Sequence, residues 1–188
     1  MSHFDEIQFL GSDCHGYFTS ASARCAGVKS CELDRWTKNG RIENPARGVY
    51  RIANYPPSAV EPYVLAVLAV GRDAALYGES VLGVLNLVPT NPSWIYVVTP
   101  RRIRRKLGEG VKVIRERLGE IEVRDGIPMQ RVVDAIRSAK GNVLKDRRLL
   151  AAKEGLRQGY MDATEYEKLS KELKNGTTGV GPLEMCNF

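Results

Sequence analysis

Two consecutive prolines, Pro56 and Pro57, impose the strongest constraint on how this chain can fold. A proline fixes its own φ at about −65°, lacks a backbone N–H, and pushes the residue before it into an extended conformation. No helix or central strand can run through such a point. The prolines therefore predict a boundary between a first domain at residues 1–55 and a second at 58–175. A flexible tail is expected at 176–188.

The first domain has the pattern of a helix-turn-helix. We expect a weak helix at 5–13, and we expect Gly16-Tyr17-Phe18 to enter a second helix at 21–26, capped by Thr19 or Ser20. The second helix has small side chains, so another helix can approach it closely, and Gly27 ends it. Ser30 is expected to cap a third helix that runs to Asn39. Two helices joined by a tight glycine turn predict this motif.

A basic hairpin is predicted directly after the third helix. In residues 41–52, β-branched and aromatic residues flank an Arg47-Gly48 turn, which is typical of a β-hairpin. Pro45 restricts its strand to a sheet edge. Three helices followed by a hairpin predict a winged helix-turn-helix.

The second domain is expected to be a larger mixed α+β unit with a small sheet. Its strands cluster instead of alternating with helices, which favours the α+β class. The predicted helices are 59–70, 79–86, 129–140, 143–158 and 164–174, and the predicted strands are 94–98, 111–115 and 121–124.

The third helix has two different faces on a wheel of 100° per residue. Leu33, Trp36 and Thr37 fall on the side that we expect to pack inward, and the opposite side is polar. A helix fits the major groove of B-DNA, where residues near its N-terminus approach base edges. The alternative is an ordinary solvated helix face. The predicted DNA-binding residues of helix and hairpin together are Ser30, Cys31, Asp34, Arg35, Lys38, Arg41, Arg47 and Arg51.

These side chains differ in the contacts that they can make with DNA. The fork of Arg35 suits guanine O6 and N7, whereas the flexible ammonium of Lys38 suits phosphate. Asp34 must face a cytosine amino group or point away from DNA. Arg47, at the hairpin tip, is expected to contact the minor groove or a phosphate.

A second basic cluster contains five cations in six residues, and its role stays open between three readings. It is a solvated loop, a phosphate-contacting arm, or a docking site for an acidic partner. Its cations are Arg101, Arg102, Arg104, Arg105 and Lys106.

Several stretches of the chain resemble the AbiEi-type antitoxins of type IV toxin–antitoxin systems. They are Gly16-Tyr17-Phe18-Thr19-Ser20, Ala26-Gly27-Val28, Leu33-Asp34-Arg35-Trp36, Gly40-Arg41-Ile42 and Ala46-Arg47-Gly48-Val49-Tyr50-Arg51, with weaker matches to residue 140. The resemblance implies a winged-helix transcriptional regulator that binds double-stranded DNA at inverted repeats in its own promoter. It also implies a C-terminal domain that neutralises a nucleotidyltransferase-like toxin.

The sequence predicts no catalytic residues, no metal and no cofactor. The two histidines lie near the N-terminus, and no P-loop, GxGxxG or GxSxG motif is present. Four cysteines without a CxxC pair predict reduced thiols. The acidic N-terminus and the short apolar runs predict a cytoplasmic protein that neither carries a signal peptide nor spans a membrane.

Two other functions remain as alternatives to the DNA-binding antitoxin. The first is a protein-interaction module that neutralises the toxin by direct binding, with little DNA binding. The second is a metal-dependent nuclease built from Glu79, Glu120, Glu122 and Asp125. For the nuclease we prefer the reading of surface charges and turn residues, because Asp125-Gly126 is a turn dipeptide.

Overall fold

A computed structural model describes residues 3–89 and 93–175. In these ranges the chain is a mixed α+β protein with two small sheets, which confirms the predicted class at that level. The predicted tail at 176–188 lies outside the described residues.

The N-terminal segment, defined here as residues 3–55, has three helices and a three-stranded antiparallel sheet. The strand order is β1-β3-β2, so β2, which contains Pro45, is an edge strand as predicted. Ile7, Phe18 and Trp36 belong to a separate apolar core under these elements. In chain order the elements are α1 (His3–Ser12), β1 (Tyr17–Thr19), α2 (Ser20–Cys25), α3 (Ser30–Lys38), β2 (Ile42–Ala46) and β3 (Val49–Ile52).

Thr19 caps α2, one of the two caps predicted. The strand that leads into α2 was not predicted: Tyr17 and Phe18 form β1, because they pair with Arg51 and Tyr50 of β3. The predicted cap of the third helix was wrong. The cap of α3 is Lys29, not Ser30, and the Glu32 carboxylate accepts its backbone N–H at 3.0 Å.

The C-terminal segment, defined as residues 58–175, contains a five-stranded mixed sheet in the order β6-β5-β4-β8-β7. β5 runs parallel to β6 and β4 runs parallel to β8, whereas the other two pairs are antiparallel. One large apolar core includes Val67, Leu82, Val97 and Ile136. The elements are α4 (Glu61–Val70), β4 (Ala75–Leu76), α5 (Glu79–Val84), β5 (Ile95–Thr99), β6 (Val111–Arg115), β7 (Ile121–Arg124), β8 (Ile127–Gln130), α6 (Val132–Ser138), a 3₁₀ turn (Ala139–Gly141), α7 (Lys145–Arg157) and α8 (Ala163–Asn175).

Two strands of this sheet were not predicted. β4 has only two residues, too few for a pattern to show. Met129 was assigned to a helix but lies in β8, because it pairs with Leu76 on one side and Glu122 on the other.

A hydrogen-bonded ion pair joins the N-terminal sheet to α4. Arg51 Nη2 donates to Glu61 Oε1 at 2.9 Å and to the carbonyl of Tyr55 at 3.0 Å, and the Arg51 side chain is only 12% exposed. Tyr17 Oη donates to the other oxygen of Glu61 at 3.3 Å. The assignment of Arg51 as a DNA contact is therefore corrected: its guanidinium is held inside the protein by groups of its own chain.

The turn between β7 and β8 makes a second contact with the N-terminal segment. A ring nitrogen of His15 donates to the carbonyl of Asp125 at 3.0 Å. Gly126 has a φ of 74°, and a Cβ at this position would overlap the carbonyl oxygen of Asp13. Only glycine allows the two backbones to approach this closely.

We expect Gly126→Ala to destabilise the protein more than Gly159→Ala. Gly159 has nearly the same φ, 76°, but its Cβ would meet nothing within 4 Å. The control should cost about 1–2 kcal/mol for left-handed backbone, and Gly126→Ala a further ~1–3 kcal/mol for overpacking. Urea unfolding followed by circular dichroism measures both values. Equal losses would contradict the close contact.

We expect Glu61→Gln to lower the free energy of unfolding by roughly 1–3 kcal/mol at neutral pH, because Arg51 loses its charged partner. The hydrogen bond from Arg51 holds the pKa of Glu61 below its usual value. The stabilisation is therefore present above the unfolded pKa, about 4.3, and is lost as the pH falls through the lower folded pKa. The difference between wild type and variant should shrink in urea titrations toward pH 3.

The matched control for this measurement is Glu167→Gln, because Glu167 is exposed on α8. It should change the free energy of unfolding little at any pH. A wild-type advantage over Glu61→Gln that stays constant from pH 7 to pH 3 would contradict the role of the charged carboxylate.

Candidate nucleic-acid interface

The inner face of α3 is fixed by two buried side chains. Leu33 and Trp36 are each 3% exposed and belong to the apolar core of the N-terminal segment. Phe4 of α1 packs edge-on against Trp36, with 5.2 Å between ring centroids. These contacts determine which side of α3 faces solvent.

The outer face of α3 carries the residues that the helical wheel placed there. Thr37 is the one departure, because it is exposed and its hydroxyl donates to the carbonyl of Leu33 at 2.8 Å. The exposed residues of the predicted set on this helix are Ser30, Cys31, Asp34, Arg35 and Lys38.

The charged side chains of α3 differ in whether they have a hydrogen-bonding partner within the protein. The Glu32 carboxylate accepts from the backbone of Lys29 and lies 3.0 Å from His3, and these contacts lower its pKa. Arg35 adds a weaker electrostatic contribution to the same shift. The cationic groups of Arg35 and Lys38 remain exposed, without a hydrogen bond or ion pair to another described residue. They are available to a ligand.

The β2–β3 turn is short, and hydrogen bonds to neighbouring residues hold its backbone. Gly48 has a φ of 74°, which completes the two-residue connection between the strands. Its carbonyl accepts the backbone N–H of Ser20 at 2.9 Å, and the side chain of Asn44 donates to the carbonyl of Val49 at 3.1 Å. The side chain of Arg47 is exposed and has no hydrogen bond or ion pair within the described parts of the chain.

Arg41 has an aromatic partner within the protein and still keeps its side chain at the surface. Its guanidinium carbon lies 3.6 Å from the centroid of the Phe4 ring, a cation–π contact. The residue nevertheless remains exposed. Arg41 thus keeps its charge at the surface while the ring restricts its orientation, in contrast to the internal Arg51.

Charge is unevenly distributed along the N-terminal segment. Residues 20–51 contain seven Lys or Arg and three Asp or Glu, whereas residues 3–19 contain three Asp or Glu and no Lys or Arg. The structure adds two exposed cations that the sequence reasoning missed, Arg24 at the end of α2 and Lys29 at the start of α3. Both residues flank the Gly27 turn in the sequence, and this position next to the turn of the predicted helix-turn-helix could have indicated them as DNA-contacting cations.

Some cations of the second basic cluster have partners within the protein, and others do not. Arg101 pairs with Asp73 at 2.5 Å, and Arg105 donates to the carbonyls of Ala69 and Val70, the latter at 2.9 Å. Arg104 and Lys106 are exposed, and neither has a partner among the described residues.

Two of the four carboxylates considered for a nuclease are paired with arginines. Arg131 Nη1 donates to Glu120 at 2.7 Å, and Glu122 pairs with both Arg131 and Arg124. Glu79 is half-buried, and burial raises its pKa. Within residues 3–89 and 93–175, no three His, Cys, Asp or Glu side chains are grouped as a metal site.

None of the helices that the structure describes combines the length and the apolar character needed to cross a membrane. Comparison with known proteins assigns no family. No protein-family model matches the chain, and no curated protein matches it significantly.

Proposed function

We propose that the N-terminal segment is a winged helix-turn-helix that binds double-stranded DNA, and that the chain is a cytoplasmic transcriptional regulator of the antitoxin type. The observation that carries the proposal is the exposed outer face of α3, where the cations Arg35 and Lys38 lie beside Asp34, opposite the buried Leu33 and Trp36. The element order helix–strand–helix–helix–strand–strand, with sheet order β1-β3-β2, supports it. α2 and α3 are the two helices of the motif, and the β2–β3 turn is the wing.

In this proposal α3 lies in the major groove with its N-terminal residues toward the base edges. Arg35 donates two parallel hydrogen bonds to guanine O6 and N7, and Asp34 accepts from a cytosine amino group. Lys38, nearer the end of the helix, contacts phosphate. Ser30 and Cys31 lie at the start of α3, close enough to the groove floor for hydroxyl or thiol contacts.

The wing and the flanking cations hold the protein on the duplex. Arg47 at the wing tip contacts phosphate or the minor groove, and Arg41 contacts phosphate from the surface next to Phe4. Arg24 and Lys29 add positive charge on either side of the helix-turn-helix turn. Such contacts give affinity without sequence preference, and salt weakens them.

The antitoxin part of the proposal rests on the resemblance to the AbiEi-type family. By this resemblance, the DNA site bound is a pair of inverted repeats upstream of the protein's own gene. Binding there represses the protein's own operon. The C-terminal segment then neutralises a nucleotidyltransferase-like toxin. DNA binding by the N-terminal segment can be tested without that toxin.

We expect Arg35→Ala to weaken binding to the upstream promoter region by roughly 1–3 kcal/mol, or about 5- to 150-fold. The loss should depend on one guanine, because the guanidinium contacts a single base pair. Gel shifts with wild-type promoter and single-base variants measure it, and Lys168→Ala on the exposed side of α8 is the control. An Arg35→Ala protein that binds every promoter variant as the wild type does would refute the assignment.

We expect Arg47→Gln to weaken binding by a similar factor on every promoter variant, since the wing contributes no base selectivity. The slope of log Kd against log salt should fall by about 0.9 for the lost phosphate contact. Fluorescence anisotropy between 50 and 200 mM salt, about the range in which such contacts are screened, gives both values. An unchanged slope with unchanged affinity would exclude Arg47 from the interface.

A further inference from the structure

The largest concentration of positive charge lies in the C-terminal segment, away from α3 in the sequence. Residues 101–117 contain eight Lys or Arg and two Glu. This excess equals the formal net charge of +6 of the whole chain. The proposed DNA-binding function makes no use of it.

The connection between β5 and β6 carries most of these cations, and its backbone is held at several points. Ile103 and Leu107 pack against the large core. Arg105 donates to carbonyls at the end of α4, and the backbone N–H of Arg101 donates to Thr99 Oγ1 at 3.4 Å. The charged side chains are therefore presented from an anchored segment and not from an unattached loop.

These residues border a surface depression of about 370 Å³. Five guanidinium groups line it, from Arg72, Arg101, Arg102, Arg104 and Arg105, against the single carboxylate of Asp73. That carboxylate is already paired with Arg101. The depression thus has a strong positive excess that its own acid does not neutralise.

We propose that this depression binds the phosphodiester backbone of a nucleic acid, as a second phosphate-contacting surface separate from α3. Guanidinium groups match phosphate oxygens through two parallel hydrogen bonds, and a depression where five guanidinium groups outnumber one carboxylate suits a polyanion. Protein interfaces, in contrast, exclude charge from their centre and bury aromatic and aliphatic anchors. The exposed lining here is charged, which favours a phosphate backbone over an acidic protein.

Arg72 and Arg104 are the cations to test, because both line the depression, both are exposed and neither is used by the fold within the described residues. Arg101 and Arg105 are unsuitable, since their removal would disturb α4 or Asp73. The test variant is Arg72→Gln/Arg104→Gln in the full chain. The control is Lys153→Gln/Lys168→Gln, which removes the same charge from exposed positions of α7 and α8. Circular dichroism should give equal unfolding midpoints for both.

The measurement is fluorescence anisotropy with a 30-base-pair duplex of unrelated sequence and with a single-stranded RNA, over a range of salt concentrations. We expect the test variant to bind about ten-fold more weakly, with a salt slope lower by roughly two for two lost contacts. The control should behave as wild type. Loss on the duplex, on the RNA, or on both supports the proposal and identifies which backbone is bound.

Unchanged Kd and unchanged slope on both nucleic acids would overturn the proposal. So would loss of binding to a poly-glutamate peptide with nucleic-acid binding retained, because that result assigns the surface to an acidic protein. The outcome is separate from the promoter-binding proposal. Arg35→Ala tests preference among promoter sequences, whereas these probes carry no promoter sequence, so either proposal can fail alone.

Discussion

Burial of Leu33 and Trp36 is the constraint on which the candidate interface depends. A helix of nine residues exposes some face in any orientation, and only its packing decides which one. Here the two side chains are almost fully removed from water, and Phe4 covers Trp36 from α1. Rotating α3 to hide Arg35 would expose an indole and a leucine, at a cost of several kcal/mol.

The N-terminal segment is also held against the rest of the chain. Two contacts at different places along the chain attach it. One is the Arg51–Glu61 ion pair with Tyr17, and the other is the close approach of Gly126 to Asp13. Tyr17 and Val49 belong to the large core together with residues of α4 and the five-stranded sheet. α3 is therefore presented by a segment that is attached at several points beyond the Pro56-Pro57 connection.

Apolar spacing and turn residues predicted much of this fold. The inner face of α3, the β2–β3 hairpin and the edge position of Pro45 follow from local patterns, because their causes lie within a few residues. β1 and β8 could not be predicted in this way. Tyr17-Phe18 and Met129 become strands by pairing with partners distant in the chain, and such tertiary pairing overrides local propensity.

The same limit applies to the candidate site. Arg47 and Arg51 are four residues apart in one hairpin, and composition cannot tell them apart. Arg51 becomes internal because α4 brings Glu61 to it, a partner ten residues away across the two prolines. Likewise, two arginines of the cluster at 101–106 are engaged within the protein, because Arg105 donates to carbonyls of α4 and Arg101 pairs with Asp73. These partners are visible only in three dimensions.

The most direct test of the account is to map the surface that contacts promoter DNA. Backbone amide chemical shifts of the full chain, labelled with nitrogen-15, can be followed during titration with the upstream duplex and with a scrambled duplex. We expect residues of α3 and of the β2–β3 turn to shift most, and more with the promoter than with the scrambled sequence. Shifts absent from both elements, with changes confined to the C-terminal segment, would contradict it.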